Sequence, residues 1–153
     1  MNLYELIDRL HKEHTLTKEE FITLIKERNE ESASYLASLA REEAVNIYGN
    51  GVFPRGLVEF TNYCKNNCYY CGIQGSNPNA NRYRLSKEEI LSACENGYQL
   101  GYRSFVLQGG EDPHYTDEVM VPIVAEIRKR YPDCAITLSL GERSKESYQK
   151  LYD

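Results

Sequence analysis

The chain has 153 residues, 41% of them hydrophobic and 27% charged, with a formal net charge of -5. That composition suits one globular domain and excludes the disordered and membrane classes; no apolar run approaches the roughly 20 residues that span a bilayer. Lys and Arg are scattered among acids, so no basic face exists to displace counterions from a nucleic acid.

The opening stretch MNLYELIDRLHKEH has neither the basic flank nor the apolar run of a signal peptide, which predicts a cytoplasmic protein. The first fifty residues are helical in period. Leu3, Leu6, Ile7 and Leu10 recur at three and four, and Thr17 with Glu20 forms a capping box before a helix carrying Phe21, Leu24 and Ile25. A third helix, from about Glu31 to Tyr48, places Tyr35, Leu36, Leu39, Ala40 and Ile47 on one side. Gly49-Asn50-Gly51 and Pro54-Arg55-Gly56 then punctuate the chain. The expected division is a helical segment over 1–50 and a core over 51–153.

In the core the period changes. Leu57 to Thr61 reads as a strand, a long loop follows, and Ser86 with Glu89 caps a helix to about Leu100. Ser104 to Gln108 is a second strand, then a Gly-rich turn and a helix from about Thr116 to Arg130; Ala135 to Leu140 is a third strand, and Ser144 opens another helix. Strands alternating with helices predict an α/β fold with right-handed crossovers and a parallel sheet, doubly wound or barrel, its site at the C-terminal strand ends. Three parallel strands leave the third with an unpaired apolar edge, so the pattern reads as an incomplete barrel.

Five cysteines is an odd number, and three lie within the eight residues from Cys64 to Cys71, in the loop after the first strand. That spacing favours metal ligation over a disulfide framework and fits a reducing compartment. Three thiolates suit an iron-sulfur cluster or zinc. Zinc fits less well, because structural sites want four ligands and Cys94 and Cys134 have no partner at zinc spacing. The latter two read as buried small hydrophobes, and His11 and His14 as solvated. Arg82 and Arg84, flanking the loop, are candidates to hold a carboxylate.

The pattern Cys-x3-Cys-x2-Cys, with the aromatic Tyr70 before the last cysteine, resembles the signature of the radical S-adenosylmethionine (SAM) superfamily. The resemblance implies that Cys64, Cys68 and Cys71 ligate a 4Fe-4S cluster whose open iron takes SAM's amino and carboxylate groups. An electron from a reductant such as ferredoxin or flavodoxin then cleaves SAM to a 5'-deoxyadenosyl radical. The protein supplies position and dryness. Gln108-Gly109-Gly110-Glu111-Asp112 resembles the family's GGE motif, which implies that Gly109 and Gly110 admit close approach and Glu111 receives SAM's ammonium. Tyr70 could lie near the adenine, and Ser139 and Glu142, at the end of the third strand, could hydrogen-bond a ribose or a substrate.

Within the superfamily, Val58 to Asn62, Cys68 to Ile73, Arg82-Tyr83-Arg84, Leu107 to Pro113 and Thr137 to Glu142 together look like the N-terminal part of the FeFe-hydrogenase maturases of the HydE type. That likeness implies a TIM-type (βα)8 barrel of more than twice this length, an organometallic iron-cysteine substrate, and other hydrogenase maturases as partners. Gly109 departs from the serine often found there and is closer to the superfamily consensus, which keeps methylornithine synthase and biotin synthase as relatives to weigh. The contrasting reading is a non-catalytic metal-binding module.

Overall fold

The computed structural model describes residues 2–153 and divides the chain into two compact units, one ending at Val52 and one running from Phe53 to Asp153. The first unit is three helices, α1 (Leu3–Glu13), α2 (Lys18–Lys26) and α3 (Glu30–Tyr48). Each starts on a capping box, Asn2 with Glu5, Thr17 with Glu20, and Asn29 with Ser32, in which a short polar side chain accepts an otherwise orphaned backbone N–H. Leu6, Ile7, Leu16 and Leu24 form the core, with Leu10, Tyr35, Leu36 and Leu39 packed against it.

Two expectations for these helices fail. Ile25 is 73% exposed and Ile47 67% exposed, so neither belongs to the packed stripe. For Ile47 the reason is length: α3 has 19 residues and α1 only 11, roughly 28 Å against 16 Å, and α3 runs past its partner. On α2, Leu24 alone is buried and Phe21 remains half-exposed.

The second unit alternates β1 (Gly56–Thr61), α4 (Lys87–Gln99), β2 (Ser104–Gly109), α5 (Asp117–Arg130), β3 (Ala135–Ser139) and α6 (Lys145–Tyr152). The strands form a parallel sheet in the order β1-β2-β3. β3 stops at Ser139, one residue short of the expected end, and Gly141 follows with a positive φ of 79°. One sheet face carries Val58, Phe60, Phe105 and Leu107 into a core with Ile90, Leu91 and Cys94 of α4 and Met120, Ile123 and Ile127 of α5. Burying these side chains contributes about 1.5–3 kcal/mol each and fixes the register of both helices on the sheet.

The alternation of strand side chains sends Glu59 and Gln108 to the opposite face, and the register sets Glu59 beside Gln108 and Gln108 beside Ser139. Ile136 and Leu138 of β3 stay half-buried in a groove shared with Val124 and Leu151. Cys94 and Cys134 are buried, as expected. No described helix is long and apolar enough to cross a membrane.

Candidate cofactor site at the strand ends

The cysteine loop leaves β1 at Thr61 and returns at Arg84, where the two residues form an antiparallel bridge. Asn62 closes its base: the side-chain oxygen accepts from Tyr83 N at 2.8 Å, and Nδ2 donates to Asn81 O at 2.6 Å. Leu85 N donates to Phe60 O at 2.8 Å, and the buried Tyr115 hydroxyl donates to Leu85 O at 2.7 Å, with Phe60 O also within reach of its one proton at 3.1 Å. Within the loop, Cys71 N donates to Cys68 O, Gln74 N to Cys71 O, and Gly75 N across to Asn66 O. All five cysteines are free thiols; Cys64 is half-buried, and Cys68 and Cys71 are exposed.

The Gly109-Gly110 turn at the end of β2 is pressed onto the root of this loop. A Cβ at Gly109 would lie 2.7 Å from the Phe60 ring and from Thr61 Cγ2. At Gly110 it would lie 2.2 Å from Tyr63 O and 2.9 Å from Cys64 Cβ. Hence glycine is required for contact, whatever the local φ. Glu111 comes next and joins all three strand ends. Its backbone O accepts from Lys65 N at 3.1 Å, its Oε2 lies 3.4 Å from Lys65 Nζ, and its Oε1 accepts from Glu142 N at 2.9 Å. Gly141 makes that last bond possible, since a Cβ there would sit 2.7 Å from the Glu111 carboxyl carbon.

Behind the turn stands a residue that the sequence did not single out. Asp112 is 8% exposed and takes a bidentate pair from Arg84, at 2.8 and 2.9 Å, together with the Thr61 hydroxyl at 2.8 Å and His114 N at 3.0 Å. Burial pushes its pKa up, but the Arg84, His114 and Thr61 donors outweigh that and hold it below the ordinary aspartate value. Arg84 also lies 4.0 Å over the Tyr63 ring. Of the two arginines expected to hold a carboxylate, Arg84 does so. Arg82 instead donates to main-chain carbonyls of the cysteine loop.

Cys64, Gly110, Glu111 and Glu142 are therefore brought together, the last through its backbone N–H rather than its carboxylate. Tyr70 is 97% exposed on the loop, and Ser139 is exposed beside Gln108 on the open sheet face. The expected convergence of the three thiols is not seen: among the described residues no group of three or more His, Cys, Asp or Glu side chains is placed to hold a metal. Cys68 and Cys71 are exposed, on turns held by main-chain bonds and by the side chains of Asn67, Asn77 and Arg82, and metal binding is coupled to the ordering of its ligands. The donor set itself fits an iron-sulfur cluster: three free thiols in one loop, with a glycine cradle against the first.

Parallel βα units with a cysteine loop after the first strand and a glycine-acid turn after the second define a class, and residues 58–151 match the radical SAM superfamily. The chain belongs to that superfamily, and its fold is three successive βα units of a TIM-type radical SAM barrel. It is 44% identical over 115 residues to the [FeFe] hydrogenase maturase subunit HydE of Thermotoga maritima, covering 75% of this chain and 32% of that one. To 3-methylornithine synthase of Methanosarcina barkeri it is 34% identical over 111 residues, 72% of this chain and 31% of the relative. The crystal structure of methylornithine synthase (PylB) superposes with a TM-score of 0.73 at 30% identity, covering 96% of this chain and 44% of that chain. That of HydG, a maturase of the [FeFe]-hydrogenase, gives 0.80 at 25%, with 98% and 34% covered. The chain spans about a third of the length of the curated relatives it matches.

Proposed function

We propose that this chain carries the cluster and SAM end of a HydE-type radical SAM enzyme acting in maturation of the FeFe-hydrogenase H-cluster. Cys64, Cys68 and Cys71 would hold a 4Fe-4S cluster, which with SAM supplies a 5'-deoxyadenosyl radical. Gly109 and Gly110 let the β2 turn approach the cluster loop, and the Glu111 carboxylate receives the methionyl ammonium. Tyr70 covers the adenine side, while Ser139 and Glu142 face the ribose or the substrate. Residues 51–153 form the catalytic core and 1–50 a helical appendage. The substrate is a small organometallic iron-cysteine species, the electron comes from a ferredoxin or flavodoxin, and the other hydrogenase maturases act beside it in the cytoplasm.

The observation that carries this reading is the seat of Glu111. Its carboxylate is held between Lys65, next to Cys64 in the chain, and the backbone of Glu142 after β3, so an anionic group stands beside the first cluster cysteine. A carboxylate in that position can pair with an ammonium whose neighbouring atoms reach the open iron.

Anaerobic reconstitution of the full chain with ferrous iron and sulfide tests the reading. The expected result is a reduced 4Fe-4S EPR signal that shifts when SAM is added. Stoichiometric zinc with no such signal would instead support a non-catalytic metal module. The likeness to 3-methylornithine synthase favours a second reading on a different substrate; formation of 3-methylornithine by the reconstituted protein would decide for it.

A further inference from the structure

Arg82 is half-buried behind the cysteine loop, and its guanidinium serves main-chain oxygens on both sides of the cysteine triad. Nη1 donates to Asn62 O, which precedes Cys64, and to Ile73 O at 2.8 Å; Nη2 donates to Gln74 O at 2.6 Å and reaches Asn77 O at 3.4 Å. Among the described residues it forms no ion pair with a carboxylate, and its guanidinium is turned to four carbonyl dipoles.

A trans peptide is planar, with the C=O of one residue antiparallel to the N–H of the next. Fixing the carbonyl of Gln74 on the guanidinium therefore aims the N–H of Gly75 the other way, where it donates to Asn66 O at 2.8 Å. Fixing the carbonyl of Ile73 likewise turns the N–H of Gln74 onto Cys71 O at 3.2 Å. Asn66 lies between Cys64 and Cys68, so the chain after the third cysteine is stitched to the chain between the first two. Gly75 is in close contact there, since a Cβ would lie 2.8 Å from Cys64 O. The fan of four acceptors needs the planar fork of arginine; a lysine ammonium is a point charge with three donors.

We infer that Arg82 is the positioning residue of the cysteine loop: by gathering the carbonyls of Asn62, Ile73, Gln74 and Asn77 it sets the spacing of Cys64, Cys68 and Cys71 for cluster binding. The inference rests on the proposed cluster role of those cysteines and adds to it a group that touches neither cluster nor SAM.

The test compares the full wild-type chain with Arg82→Met and Arg82→Lys. In the metal-free proteins, amide hydrogen exchange at Gln74 and Gly75 should accelerate at least tenfold in Arg82→Met while amides of β1 and β2 keep their protection. Iron bound after anaerobic reconstitution should require roughly 10- to 100-fold more free iron, the range for loss of an outer partner of metal ligands. Arg82→Lys should recover only part of both effects, and ethylguanidinium added to Arg82→Ala should restore iron loading. Unchanged exchange at Gln74 and Gly75, or iron loading within twofold of wild type in Arg82→Met, overturns the inference. A wild-type chain that loads no cluster refutes the functional reading, and the exchange data then still judge the clamp.

Discussion

Replacing Gly110 by alanine puts a methyl group 2.2 Å from Tyr63 O and 2.9 Å from Cys64 Cβ. Ordinary carbon-oxygen contact needs about an ångström more than the first of these, and neither neighbour can rotate away, because one is a backbone carbonyl and the other is bonded directly to the backbone. The β2 turn must move back from the cysteine loop by that amount. The adjacent bond from Lys65 N to Glu111 O, already 3.1 Å, would then exceed hydrogen-bond range. Overpacking of this kind costs about 1–3 kcal/mol and the lost bond about 1 kcal/mol, giving about 2–4 kcal/mol in all. Denaturant unfolding of the full chain measures the stability loss, and the SAM-dependent shift of the cluster EPR signal measures the effect on the site. Gly110→Ala should be destabilised by that amount and should lose the SAM shift while still binding iron. A variant as stable as wild type to within about 0.5 kcal/mol, with the shift intact, would show that the turn does not press on the loop as described.

Asp112→Asn should lose stability near neutral pH through the weakened Arg84 pair, on the order of 1–2 kcal/mol because Arg84 is left partly in solvent, read by the denaturation midpoint. Because the folded-state pKa of Asp112 is depressed, its contribution is fully present above the unfolded value and fades as pH falls below about 4. The wild-type advantage should therefore shrink in acid, and a constant gap down to pH 3 would contradict it. In the metal-free chain at pH 8, iodoacetamide should modify three of the five thiols quickly: Cys94 is buried with its thiol pushed up to about 11, and burial raises Cys134 as well. Mass spectrometry of partially alkylated protein should place the fast label on Cys64, Cys68 and Cys71. Glu111→Gln should keep its iron content and weaken SAM binding on the order of tenfold, the loss of one charge-assisted contact, as measured by equilibrium dialysis.

What could be read in the sequence was local. Thr17 with Glu20 and Ser86 with Glu89 are capping boxes closed within three residues, and the helices start where those pairs place them. The cysteine spacing and the Gly-Gly-Glu turn are equally short-range signals, and the order of strands and helices put both at one end of the sheet. The residues that were missed act over distance. Asp112 meets Arg84 across 28 positions and Thr61 across 51, and no periodicity links them. For Glu142 the contact that builds the site is its backbone N–H to Glu111, a group every residue except proline carries. Periodicity assigned Ile47 to a face but held no information on where the neighbouring helix would stop. The part of Arg82 was hidden because its partners are carbonyl oxygens, which carry no residue-type signal.

The strands stand in the sheet in the order in which they occur in the chain. Each new βα unit therefore adds to the same growing edge, and no later strand has to be inserted between earlier ones. The loop bearing Cys64, its bridge at Arg84, the Gly110 turn and the Asp112 anchor all belong to the first two strands and the segments that follow them. During synthesis from the N-terminus, where chain segments are delivered in order, these parts of the candidate site can thus reach their native contacts before β3 has been made, while the Glu142 contact to Glu111 waits for the third strand.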